Sequence, residues 1–253
     1  MKKIISVLVV LCLAMTIFAA GSVRVGGAFN FMTGKSAEFD ADSEVFEKVK
    51  VGYKTNGFGF DVAGDFDVAS NLSVWADFDM VFCSDFKFKA GDSAEVSFND
   101  IYDGMKVEYD AAKLAGATGD LKKAINIISI GTGVAYKLDL NAVEARLGGG
   151  LFFERALALA KLDLKYNDEE YKETMKFKAS NFGIALYGDV KYKFNDQFGL
   201  GLTVMPHVGL INTFTVEYKV DATGETPVDQ KDSKTGFRLS FSMPIVVGVS
   251  YSF

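Results

Sequence analysis

From Phe237 to Phe253 every second residue is apolar: Phe237, Leu239, Phe241, Met243, Ile245, Val247, Val249, Tyr251 and Phe253. The positions between them are Arg238, Ser240, Ser242, Pro244, Val246, Gly248, Ser250 and Ser252, mostly small or polar. A period of two held this long admits a β-strand with one apolar face and excludes a helix. The same alternation runs through residues 23–31, 58–68 and 72–82, and again through 128–138, 143–153, 182–194 and 198–210. Eight strands result.

Their connections alternate as strictly as their residues. Ser70–Asn71, Asp139 to Asn141 and Asn195 to Gln197 are tight turns after the second, fourth and sixth strands. Longer polar segments, residues 33–55, 89–124, 155–179 and 212–235, join the others and are expected to be loops. Turns at one end and long connections at the other describe an all-β, eight-stranded antiparallel up-and-down transmembrane β-barrel with both termini on the turn side. Closure leaves no backbone edge facing lipid. A soluble eight-stranded barrel such as a lipocalin, or a sandwich, is the alternative, but it places its apolar face inside. Here the other face carries Gly, Ala, Ser and charges of both signs, which suits a narrow lumen filled by side chains. Aromatics gather on the apolar face near the turn end (Phe66, Tyr136, Tyr192, Phe194, Phe198, Tyr251, Phe253) and near the loop end (Phe31, Phe82, Phe153, Phe214), the two girdles a bilayer calls for.

The first residues carry an export address. Lys2 and Lys3 precede an apolar run ending in Ala19-Ala20-Gly21-Ser22, the order of a secretory leader. Residues 1–21 are expected to be cleaved and 22–253 to form the barrel. Loss of Lys2 and Lys3 takes the formal charge from −6 to −8. So acidic a chain does not suit nucleic acid, whose phosphates attract basic surfaces. Cys12 lies in the apolar run behind Val-Val-Leu, a poor lipidation site, so the mature chain keeps one thiol, Cys83, and forms no internal disulfide.

The C-terminal Phe253, with Tyr251 and Val249 on the same face, resembles the signal that bacterial outer-membrane proteins present to the barrel-assembly machinery. With the leader and the eight strands, the chain resembles small outer-membrane barrels of the OmpX, OmpW and OmpA transmembrane type. That resemblance implies an outer-membrane location and lipid contacts. It also implies a monomer without cofactor, and a cell-wall-binding domain beyond Phe253 is not expected.

On the lumen face the alternation gathers Asp61, Asp65, Asp67, Asp77, Asp79, Glu144 and Asp189 with Arg24, Lys137, Arg146, Lys191, Lys193 and Arg238. Pairing through the turn near residue 140 sets Lys137 opposite Glu144 as a cross-strand ion pair. Buried charges persist when compensated, so this set is expected to plug the lumen; an ion or solute path is the competing reading. The Asp residues of the second and third strands have the oxygens Ca²⁺ takes, but without EF-hand spacing no metal is expected. His207 is the sole imidazole and has no nucleophile or orienting carboxylate assignable from sequence, so no catalytic residue is expected. Gly148-Gly149-Gly150 lies in mid-strand with no helix behind it and is no phosphate loop. Pro206 and Pro244 fall inside strands, where local bulges are expected to accommodate them.

Phe86 and Phe88 extend the third strand, and Phe214, Val216, Tyr218 and Val220 extend the seventh, so outward hairpins are expected. Residues 109–124 are expected to form a short helix within the largest loop. The expected role is structural or surface-interacting, with a host or matrix ligand at the loops. The alternative is a narrow OmpW-like channel for small or hydrophobic solutes.

Overall fold

The computed structural model describes residues 21–38 and 50–253. The expected leader, apart from Gly21, lies outside the described residues, as do residues 39–49 between the first two strands. The described elements are β1 (Gly21–Glu38), β2 (Lys50–Ala69), β3 (Leu72–Ala90), β4 (Val96–Ser97), α1 (Phe98–Leu114), β5 (Thr118–Leu140), β6 (Val143–Tyr166), β7 (Glu169–Lys193), β8 (Phe198–Val204), β9 (His207–Ala222), β10 (Val228–Ser242) and β11 (Ile245–Ser252). Neighbours pair antiparallel in chain order, and β10 and β11 close the ring on β1. β8 with β9, and β10 with β11, are halves of single barrel strands, so the ring has eight strands. At the inner end the seam is sealed by reciprocal hydrogen bonds, Gly21 N–H to Phe253 O (3.1 Å) and Phe253 N–H to Gly21 O (3.0 Å).

The two split strands account for the prolines. Met205–Pro206 and Met243–Pro244 interrupt adjacent strands at the same level, where Met205 N–H donates to Pro244 O (3.0 Å) and Leu186 N–H to Pro206 O (2.9 Å). Each proline accepts without having to donate. The accommodation is a shared break, and the expected bulges lie elsewhere.

Alternation sets the outward face. On β7, Phe182, Ile184, Leu186, Val190, Tyr192 and Phe194 are all exposed. Thirteen positions tilted by 40° span roughly 30 Å, the height of a bilayer's apolar layer. Among the described residues no helix is long and apolar enough to cross a membrane, so the strands carry this band.

Beyond the band the chemistry of the two faces inverts. An outward surface there meets water, so apolar side chains are stable only inside. On β2, β6 and β7 the residues themselves change over: Val51, Tyr53, Ala156, Ala158, Ala160, Leu162 and Phe177 are buried, while Lys54 and Arg155 face out. On β3 and β9 a bulge performs the switch. Ser84 is unpaired between Cys83 and Asp85, and Leu210 between Gly209 and Ile211. One inserted residue flips every side chain that follows. Phe86, Phe88, Phe214 and Val216 therefore point inward, which corrects the expectation that Phe214 belongs to the outer girdle. Phe66 is likewise covered, lying beside Gly21 near Phe253, whereas the other turn-end aromatics are exposed.

The long connections are largely ordered strands. Residues 155–179, expected as a loop, complete β6 and β7 around a two-residue turn at Asn167 and Asp168, with Asn167 at φ +54°. Residues 212–235 form the projecting ends of β9 and β10. The helix lies earlier than expected, at Phe98–Leu114, and residues 118–124 belong to β5. Its start is built by capping: Asn99 N–H donates to Ser97 Oγ (3.1 Å), and Ser97 Oγ donates to the Asp85 carboxylate (2.8 Å). Phe98 and Met105 are buried and Ile101, Tyr102 and Tyr109 pack with them, an apolar stripe at helical spacing. α1 therefore lies over the outer mouth.

Candidate functional site

The lumen has three levels, each set by which strands bring which residues to one row. At the inner mouth Lys137 Nζ reaches Asp67 Oδ2 (2.6 Å) and Glu144 Oε2 (3.6 Å), and Lys193 Nζ reaches Asp139 Oδ2 (2.7 Å) and Glu144 Oε2 (3.6 Å). Arg146 pairs with Asp65 and, at 2.8 Å, with Glu144. Lys191 donates to Ser252 Oγ (2.7 Å). The β5–β6 turn is Asn141–Ala142, so Lys137 stands opposite Arg146, and Asp139 opposite Glu144. The Lys137–Glu144 contact is thus diagonal, not directly opposite as expected, because the turn lies at Asn141–Ala142 and not about residue 140.

One row further in, Arg24 is a hub. Its Nε donates to Asp61 Oδ1 (2.9 Å), Nη1 to Asp189 Oδ1 (3.1 Å) and to Thr203, and Nη2 lies 3.6 Å from Asp77 Oδ2. Thr203 Oγ1 donates to Asp189 (2.5 Å), and Tyr187 O–H to Asp65 (3.0 Å). Trp75 stacks on Tyr187 with centroids 4.8 Å apart. A Cβ on Gly131 would lie 2.9 Å from the Trp75 ring, so glycine there makes room for the indole. Asp79 shares this region but has no ion pair among the described residues.

The middle level is polar and uncharged apart from Glu154. Asn30 Nδ2 donates to Glu154 Oε1 (2.8 Å), Tyr53 O–H to Asn181 Oδ1 (2.7 Å), and Asn212 Nδ2 to Tyr53 Oη. His207 stacks on Phe152 (4.1 Å) with Nδ1 3.2 Å from Ser242 Oγ. Among the described residues its Nε2 has no partner and its Nδ1 meets Ser242, so neither nitrogen meets the carboxylate that would orient it in a hydrolase triad. Above, Tyr53, Phe86, Phe88, Phe98, Phe177 and Phe214 form an aromatic core, with Phe88 and Phe177 centroids 4.6 Å apart.

Arg238 is exposed and outside this lumen. It lies with Leu239 in the irregularity between Phe237 and Ser240, where the β9–β10 ladder is interrupted. There it borders a cleft of about 970 Å³ at the β1–β10 seam. β1 pairs with β10 only through Met32, Thr33 and Gly34 among the described residues, so the two edges part above that level. Phe237, Leu239, Phe241, Lys35, Lys54 and Lys89 line the cleft together with the buried Tyr53. At the opposite rim Val249, Tyr251 and Phe253 face outward together, with Tyr251 5.3 Å from Phe198.

Neither a protein-family model nor a curated protein matches the chain in sequence. Solved structures do match in fold. A major outer membrane protein from Thermus thermophilus superposes with a TM-score of 0.54 at 13% identity, covering 93% of this chain and 100% of that one. The chain has the fold of the small outer-membrane β-barrels. Two others are Neisserial surface protein A (TM-score 0.41, 11% identity, 93% and 99% covered) and Ail, the attachment invasion locus protein of Yersinia pestis (0.38, 8%, 92% and 98%).

Several residues of the barrel's lumen escape a reading of the sequence. Glu154 and Asn181 lie one position beyond the predicted strand ends on the small-residue face, so extending the alternation finds them. Tyr53 falls in residues 33–55, expected as a loop, although continuing the second strand's odd-numbered lumen face through Thr55 reaches it. Thr203 and Ser129 are indistinguishable from ordinary lumen filler.

Proposed function

We propose that this chain is an integral barrel of the bacterial outer membrane with a closed lumen and no enzymatic activity, whose projecting hairpins meet the cell's surroundings. What carries the reading is closure at two heights. Ion-paired side chains centred on Arg24 and Arg146 fill the inner half, and the aromatic core beneath α1 fills the outer half. An eight-stranded ring leaves little room beyond what such side chains occupy. His207, buried and without an orienting carboxylate, offers no general base. Above the apolar band, β6 with β7 and β9 with β10 continue as paired hairpins and supply a rigid surface for a host or matrix ligand. On this reading the barrel acts as a monomer among outer-membrane lipids. The outward trio Val249, Tyr251 and Phe253 serves as its signal to the assembly machinery.

Planar-bilayer recording of the refolded chain tests the closed lumen. The expected trace has no discrete, reproducible openings, and openings that persist in an α1-containing preparation refute it.

The seam cleft favours a second reading, a lateral port for hydrophobic or amphiphilic solutes. Phe237, Leu239 and Phe241 offer an apolar wall at the edge of the band, beside the basic Lys35, Lys54 and Lys89 and the buried Tyr53. Competition of alkyl amphiphiles with a fluorophore placed at Leu239→Cys in a Cys83→Ser background distinguishes a port from a bare groove.

A further inference from the structure

Seven buried acids face three buried bases among the described residues, and the surplus is concentrated at one place. The β2–β3 register sets Asp61 directly opposite Asp79, and Asp77 opposite Ala63, so the three carboxylates share one patch of the inward face. Like charges directly opposite each other are destabilising. One oxygen from each lies within 4.8 Å of the others. That is the spacing of ligands around a single ion at 2.3–2.6 Å.

Donors are missing. Among the described residues, both carboxylate oxygens of Asp77 and of Asp79, and Oδ2 of Asp61, have no hydrogen-bond partner, and Arg24 Nη2 comes no nearer to Asp77 Oδ2 than 3.6 Å. Asp79 is 0% exposed. Arg24 neutralises at most one of the three charges and also serves Asp189. An independent observation comes from the next two strands. Ser129 stands directly across from Asp79 on β5, and Glu154 directly across from Ser129 on β6. The Ser129 hydroxyl and Glu154 Oε2 are fully buried and likewise unpartnered. A row of buried side-chain oxygens thus crosses four adjacent strands and is only partly satisfied, by Arg24 at Asp61 Oδ1 and Asn30 at Glu154 Oε1, whereas buried polar atoms elsewhere in proteins are nearly always paired.

We propose that Asp61, Asp77 and Asp79, with Ser129 beside them, form a lumen site for a divalent cation of the Ca²⁺ type. Three carboxylates less the charge of Arg24 leave two to balance. The ligands are bare protein oxygens in a closed interior, which suits Ca²⁺ better than Mg²⁺, an ion reluctant to shed its water. The ion would tie β2, β3 and β5 together at mid-barrel.

Trp75, the single Trp, lies two residues before Asp77 on the same face and is a built-in energy donor for Tb³⁺, a stand-in for Ca²⁺. The full chain is refolded in EDTA, in Ca²⁺ and in Tb³⁺, so that a closed lumen cannot bar entry. Expected are Trp-sensitised Tb³⁺ emission at one ion per chain, its displacement by Ca²⁺, and a higher unfolding temperature in Ca²⁺ than in EDTA. Asp79→Asn should weaken Tb³⁺ binding by roughly tenfold or more, as the loss of one charged ligand does, while Asp120→Asn on an exposed hairpin should not. Absence of sensitised emission, together with equal unfolding temperatures in EDTA and Ca²⁺, overturns the site. So does an Asp79→Asn chain stabilised equally in both conditions, which would mean that the carboxylates hold protons and no ion.

Discussion

Replacing Arg24 by Met keeps an unbranched stem in the lumen and removes the cation that contacts Asp61, Asp77 and Asp189. Arg24 is 3% exposed and its three partners are no more than 5% exposed, so the carboxylates left behind have no route to bulk water. Breaking a buried pair by removing one partner costs about 3–5 kcal/mol, because the remaining charge stays desolvated. If water filled the lumen, the same carboxylates would be hydrated, and the loss would fall to the ~0.2–1 kcal/mol of exposed pairs. Urea unfolding of the refolded barrel in lipid vesicles, with EDTA present so that no ion substitutes for the guanidinium, measures the difference. Arg24→Met with Asp61→Asn should recover part of the loss, since the double change removes a stranded charge along with its partner. A loss below about 1 kcal/mol, with no coupling between the two positions, would refute a dry inner half held by buried ion pairs.

Tyr53→Phe removes the hydroxyl shared by Asn181 and Asn212 and should cost about 1–3 kcal/mol in the same assay, the penalty for stranding buried amide groups. Deleting Leu210 removes the β9 bulge and turns Phe214 and Val216 outward; hydrogen exchange should then report loss of protection along β9 and β10, with the inner rows unaffected. Lys176 hydrogen-bonds Glu217 at 2.8 Å on the projecting hairpins and holds that carboxyl below its ordinary range, so the contact stabilises the hairpins above the unfolded carboxylate's pKa, about 4.3. That protection is lost as pH falls through the folded value, and Glu217→Gln should abolish the pH step in amide exchange. Deleting Phe253 should lower outer-membrane levels in cells far more than its burial, at most about 1.5–3 kcal/mol, accounts for; Phe253→Tyr should restore them, and equal levels for deletion and wild type would count against an assembly role.

Period-two alternation in residues such as Phe237 to Phe253 determines the strands, their number and the outward face, because a side chain's direction in a strand depends on parity alone. The three turns at Ser70, Asn141 and Asn195 determine which end is which. The lumen's membership follows from the same parity, which is why Asp61, Asp65, Asp77, Asp79, Glu144, Arg146, Asp189 and Lys191 all face inward and are buried. Their partners do not follow. Lys137 meets Glu144 diagonally because the turn lies at Asn141–Ala142 and not about residue 140, and Arg24 on the first strand meets Asp189 on the sixth because the ring closes. Parity also fails wherever one residue is inserted: nothing local marks Ser84 or Leu210 as unpaired, yet each sends aromatics inward that alternation places outside, and the interrupted ladder beside Leu210 leaves Arg238 on the surface. What settles those positions is the surrounding medium. The same apolar residue is stable facing out at the height of the band and facing in above it, and that height exists only once the strands stand side by side.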